Sequence, residues 1–110
     1  NLSLDGSATV TNNGLLRITN NTKSQSGHAF YPNPINFKST SNSSAFSFST
    51  QFVFAIVPDL SGLTGTGMAF VIAPTRTLTK VPDSQFLGLF NSSITGNQTN
   101  HVFAVELDTY

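Results

Sequence analysis

From Phe46 to Ile56 the chain repeats with a period of two. Even positions read Phe46, Phe48, Thr50, Phe52, Phe54 and Ile56, and odd positions read Ser47, Ser49, Gln51, Val53, Ala55 and Val57. Side chains two apart share a face only in an extended strand, so the phenylalanines line one side. The odd face turns apolar at Val53, so the sequence predicts cover on both sides of the strand's second half. Pro58 ends it, since proline cannot donate to a ladder.

The rest of the chain follows the same logic. Ala8-Thr9-Val10-Thr11 and Leu15-Leu16-Arg17-Ile18-Thr19 flank Asn12-Asn13-Gly14, and Asn-Gly supplies the positive φ of a tight hairpin. Ala29-Phe30-Tyr31 and Ile35-Asn36-Phe37 are short strand candidates separated by Pro32 and Pro34. Met68 to Ala73 is an apolar run closed by Pro74, Phe86 to Phe90 is another, and Val102 to Thr109 is the last. No stretch of ten residues carries a helical apolar stripe. Short strands punctuated by turn residues predict an all-β sandwich or barrel. No repeat or linker divides the chain, so residues 1–110 read as a single domain.

Composition removes several function classes. Five basic and five acidic side chains, 9% charged, give no electrostatic handle for nucleic acid or an anionic membrane. With no cysteine, disulfides and thiolate metal sites are excluded. No run approaches the roughly 18 apolar residues of a membrane span, and no cleavable leader is visible, as expected of a mature chain or an excised piece. Acceptor triplets for N-glycosylation occur at Asn1, Asn20, Asn42, Asn91 and Asn97. Together they point to the secretory pathway, although a chain rich in Asn, Ser and Thr also produces such triplets by chance.

The final strand carries the densest chemistry. Alternation puts Glu106 and Asp108 on one face and Phe103, Val105 and Leu107 on the other. The two carboxylates are then roughly 6.6 Å apart along the strand. Three explanations compete: a divalent cation, a catalytic carboxylate pair, or simple exposure at a strand end. Periodicity alone ranks exposure first. His28 and His101 share no motif and read as structural or surface residues, and Asp5, Asp59 and Asp83 read as turn formers. The Gly62, Gly65, Gly67 loop lacks the strand-loop-helix setting of a phosphate site.

Residues 102–110, VFAVELDTY, resemble the metal-binding strand of legume (L-type) lectins and of plant lectin receptor kinases. Residues 67–74, GMAFVIAP, resemble that family's G-(L/I/M)-A-F-x-(I/L)-A-P segment, and residues 86–91, FLGLFN, its (Y/F)-L-G-L-F-N segment. Residues 1–6, NLSLDG, and 27–31, GHAFY, resemble N-terminal stretches of the receptor-kinase branch. The resemblance implies a concanavalin-like jelly-roll β-sandwich, of which this chain covers about half. It implies a non-enzymatic, carbohydrate-binding module for glycans or glycoconjugates that uses Ca2+ and Mn2+. Glu106 would bind the manganese-type ion, Asp108 would bridge both ions, and the main-chain carbonyl of Tyr110 would bind calcium while its ring packs on the sugar. Both ions are hard cations suited to oxygen ligands.

The chain departs from the family pattern in three places. Thr66 stands where the family has a sugar-binding Asp, and a hydroxyl cannot accept as a carboxylate does. Gln85 stands where classical members have a Gly. The family's next metal ligands, an Asn, an Asp and a His, would lie beyond Tyr110. A receptor ectodomain with altered sugar binding, recognising another extracellular ligand or protein, is therefore the alternative function. Half a sandwich also exposes a core face and sheet edges, so a homo-oligomer or a second chain is expected to complete it. The expected location is extracellular, at the cell surface, or vacuolar. Jelly-roll glycoside hydrolases carrying E-x-D-x-E are the enzymatic competitor, but Tyr110 replaces the second glutamate and cleavage needs two carboxyls. No G-x-S-x-G supports a serine nucleophile.

Overall fold

The structure, a computed structural model, describes residues 1–58, 65–78, 87–89 and 101–109. Among these residues there are six strands and no helix: β1 (Ser3–Gly6), β2 (Thr9–Val10), β3 (Leu16–Arg17), β4 (Gly27–Phe30), β5 (Gly67–Ile72) and β6 (Phe103–Asp108). They pair antiparallel as β1 with β4, β2 with β3, and β5 with β6. Among the described residues, no helix is long and apolar enough to cross a membrane.

The predicted hairpin is present, with a different turn. Val10 pairs with Leu16, and the Thr11 N–H donates to the Leu15 carbonyl at 2.9 Å. That leaves a three-residue loop, Asn12 to Gly14, in which Gly14 alone has positive φ, at 86°. A three-residue loop ending in a left-handed glycine matches the right-handed twist of its strands. The Thr11 hydroxyl reinforces the loop by accepting the Leu15 N–H at 3.0 Å.

Asp5 lies in β1, opposite His28, rather than in a loop. Its carbonyl also accepts the Ala8 N–H, so it opens the turn that leads out of the strand. The Asp5 carboxylate is 3.8 Å from His28 Nδ1. Next to this pair, β1 and β4 meet glycine to glycine, Gly6 against Gly27. A Cβ on Gly27 would lie 1.9 Å from the Ile18 carbonyl oxygen and 2.8 Å from the Ala8 nitrogen. Glycine is therefore what lets the start of β4 slide between β1 and the segment after β3.

Two strand expectations are corrected. Residues 46–57 form no ladder, and neither do residues 35–37. The backbone bond between them is from the Phe46 N–H to the Phe37 carbonyl, 2.7 Å. Period-two patterning gives each side chain a side, but a strand also needs a hydrogen-bonded neighbour. The sidedness itself survives. Phe48 meets Phe37 with ring centroids 5.5 Å apart, and Phe52 stacks on Phe70 of β5 at 5.9 Å. The expected cover over the second half of the segment is absent: Val53 is 102% exposed and Val57 82%. In the Phe86–Phe90 run, residues 87–89 form a turn with Leu87 and Gly88 at positive φ. Phe86 and Phe90 lie outside the described residues.

The phenylalanines that line one side of residues 46–57 do not form a buried core. Among the described residues only Ala8, Leu78 and Leu89 are buried, while Phe46, Phe48, Phe52, Phe54, Phe103 and Val105 are exposed. Exposed apolar area on this scale favours association. Sedimentation of the purified chain is expected to give species heavier than 11.7 kDa, and a compact monomer would mean these side chains pack otherwise. Gly27→Ala is expected to lower stability by the upper end of the roughly 1–3 kcal/mol that overpacking costs. Gly65→Ala, whose Cβ would meet nothing within 4 Å, is the control, expected within about 1 kcal/mol of the original in urea unfolding.

Candidate ligand-binding site

The site candidates gather at one end of the β5–β6 ladder. Its register runs from Ile72 opposite Phe103 to Gly67 opposite Asp108. Directly opposed residues of an antiparallel pair share a face. One face therefore carries Phe103, Val105 and Leu107 against Ile72, Phe70 and Met68. The other carries Ala104, Glu106 and Asp108 against Val71, Ala69 and Gly67. The strand alternates because its apolar side continues, through Phe70, onto the Phe52 ring.

This register brings Glu106 and Asp108 to the same face, as alternation requires. Both are exposed, so neither suffers the desolvation that would by itself demand a counter-charge. Their cross-strand neighbours are the two smallest residues of β5, a methyl at Ala69 and a bare Cα at Gly67. The space above the carboxylates is thus not filled from the partner strand. Gly67 has φ 127°, and a Cβ there would lie 2.5 Å from the Leu107 carbonyl oxygen. No other residue can end β5 in this way.

Thr66 is an exposed bend residue directly before that last rung, so it sits at the same end as Asp108. One contact here was not foreseen. The Thr109 hydroxyl donates to the Gly65 carbonyl at 2.6 Å. No local motif signals it, because the partners are 44 residues apart and become neighbours only once the register is known.

The site residues thus divide. Glu106 and Asp108 share a face and Thr66 lies at the Asp108 end of the ladder, whereas Gln85 and Tyr110 lie outside the described residues. Oxygen donors of this kind suit hard cations, but the described residues contain no cluster of three or more Asp, Glu, His or Cys. Two carboxylates are a start of a coordination sphere, and they also fall one short of the three-acid strand of the hydrolase reading. Among the glycan acceptors, Asn1 precedes β1, Asn20 lies between β3 and β4, and Asn42 lies in a turn, all exposed. The Asn20 side-chain oxygen accepts both the Thr22 N–H, at 2.9 Å, and the Thr22 hydroxyl. Asn91 and Asn97 lie outside the described residues.

Comparison with known proteins matches this arrangement to one family. The family model described as the legume lectin domain matches residues 1–110. L-type lectin-domain containing receptor kinase IV.1 of Arabidopsis thaliana is 56% identical over 108 residues, covering 98% of this chain and 16% of that protein. L-type lectin-domain containing receptor kinase SIT2 of Oryza sativa subsp. japonica is 54% identical over 110 residues, covering 99% of the chain and 16% of that protein. The chain thus spans about one sixth of the length of these curated relatives. No solved structure matches. The sequence motifs, the all-strand architecture and the match across its whole length agree: this chain belongs to the legume lectin domain family, whose fold is the jelly-roll β-sandwich.

Proposed function

We propose that the chain is a carbohydrate-binding lectin module that binds glycans or glycoconjugates without transforming them, in an extracellular or cell-surface setting. The observation that carries this reading is the β5–β6 ladder, which sets Glu106 and Asp108 on one face with Thr66 just beyond its last rung. A sugar site needs fixed polar groups beside an apolar surface, and this end combines a rigid rung with an acidic edge. The receptor-kinase relatives support the cell-surface setting and give no support to a vacuolar one.

Metal dependence is the finer part of the proposal. Glu106 and Asp108 would hold a manganese-type ion, with Asp108 shared with calcium and Tyr110 contributing its main-chain carbonyl. The bound ions would supply structural charge that fixes the loops presenting the sugar. The chain's own contribution is to place two carboxylates on one face and keep the opposite strand small at Ala69 and Gly67. Tyr110 and Gln85 would flank the sugar together with Thr66.

A second reading rests on Thr66. An exposed hydroxyl replaces the family's acidic sugar ligand, which removes a charge-assisted acceptor for two sugar hydroxyls. An ectodomain with altered sugar preference, recognising another extracellular ligand or a protein, follows from that loss. Completion of the binding surface by a second copy or another chain fits either reading, given the exposed Phe46–Phe54 and Phe103–Val105 side chains.

Elemental analysis of the purified chain before and after chelation tests the metal proposal. About one calcium and one manganese per chain are expected, and Asp108→Asn should weaken Mn2+ binding at least about tenfold, since even groups that only orient ligands are worth that much. Absence of both ions would leave Glu106 and Asp108 as solvated strand-end charges. Binding to immobilised glycans, with and without chelator, then separates the lectin reading from the altered ectodomain. Passage through a eukaryotic secretory pathway is expected to glycosylate Asn20 more fully than Asn42, because Thr22 already folds back on the Asn20 side chain. Peptide mapping after glycosidase treatment reads this out, and an occupied Asn42 beside a bare Asn20 would contradict it.

A further inference from the structure

We propose that Thr109 is a positioning residue for the ligand-binding edge, acting through its hydroxyl on the Gly65-Thr66-Gly67 segment. Thr66 sits between two glycines, the residues that lose most conformational freedom on ordering. The last rung of the ladder is Gly67 opposite Asp108. Beyond it the backbone of residues 65–66 makes no further ladder bond, and Gly65 has open space around it. The Thr109 hydroxyl reaches across at this point and donates to the Gly65 carbonyl at 2.6 Å. It extends the pairing past the end of the ladder with a side chain in place of a main-chain donor. Thr66 is thereby tied to β6 on both sides, through Gly65 to Thr109 and through Gly67 to Asp108. Its hydroxyl and the Asp108 carboxylate then move as one edge.

The chemistry of Thr109 fits this task better than that of its neighbours. It is half-buried where Asp108 is exposed, so its hydroxyl competes less with water for the Gly65 carbonyl. Its β-branched side chain has few χ1 rotamers, which limits the entropy lost in aiming the hydroxyl. A valine keeps that shape and removes the donor, and a serine keeps the donor and removes the methyl. The pair of substitutions therefore separates the hydrogen bond from packing.

The ligand part of this inference rests on the proposed metal-dependent lectin function, whereas the hold on Gly65 does not. Thr109→Val and Thr109→Ser in the full chain are compared by amide hydrogen exchange of the peptide covering residues 65–68 and by Mn2+ titration followed by electron paramagnetic resonance. In Thr109→Val, exchange of residues 65–68 is expected to rise about 3- to 10-fold, the range one net hydrogen bond supports, with Mn2+ affinity falling by a similar factor. Thr109→Ser should stay within about twofold of the original in both. Unchanged exchange in Thr109→Val, or a serine variant as impaired as the valine one, overturns the inference. Faster exchange with unchanged Mn2+ affinity overturns the positioning role. Failure of the unsubstituted chain to bind Mn2+ instead overturns the metal-dependent function, and the exchange result alone then decides whether Thr109 holds the segment.

Discussion

The register between β5 and β6 is the constraint on which the rest of the molecule's chemistry depends. Side chains of a strand alternate strictly, so a slip of one residue would turn over the faces of one strand relative to the other. In the observed register the apolar face of β6 meets Met68, Phe70 and Ile72, and the carboxylates meet Ala69 and Gly67. A slip would set Glu106 and Asp108 against the large apolar side chains and expose their partners. The stacking of Phe52 on Phe70 adds to the cost of any such shift. The same contacts that hold the sheet together therefore decide where the acidic edge points, so folding and the proposed ligand recognition would rest on one alignment.

The faces of these two strands were legible in the sequence, because they follow from periodicity, but the pairing of β5 with β6 was not. Alternation alone placed Glu106 and Asp108 on a common face, and Pro74 marked where the β5 run had to stop. The hairpin was legible through Asn12-Asn13-Gly14, which form its loop, although Gly14 alone takes the positive φ. Residues 46–57 show the limit. Their pattern is the strongest in the chain, and it correctly aligns the phenylalanines, since Phe48 and Phe52 find ring partners, but the cover it implied over Val53 is missing. It could not supply the hydrogen-bonding neighbour that turns an extended segment into a strand. The Thr109–Gly65 contact was illegible for a related reason: it belongs to the pairing of two distant segments and to neither of them.

The exposed carboxylates alter how the family resemblance should be weighed. A buried acidic pair would have called for a cation on energetic grounds alone. Here both carboxylates are exposed to solvent, so a metal ion is supported by the family and by the donor chemistry rather than demanded by burial. The proposed exchange of an acidic sugar ligand for Thr66 would point the same way: with less charge on the ligand side, recognition would lean on shape and apolar contact more than on strong hydrogen bonds.

The three antiparallel pairs differ greatly in the length of chain each must close. The β2–β3 hairpin encloses three residues, Asn12 to Gly14, whereas β5 and β6 enclose residues 73–102. Loop-closure entropy grows as (3/2)RT ln n, so the longer closure costs roughly 2 kcal/mol more before any contact rewards it. Pairing of this kind is slow, and local hairpins precede it. The acidic edge is consequently a late product of folding. Until β6 arrives, β5 is an apolar strand with an open edge beside a row of phenylalanines, the kind of surface that pairs with other chains. During synthesis β5 emerges well before its partner, so the acidic edge exists only after the chain has passed through its most adhesive state.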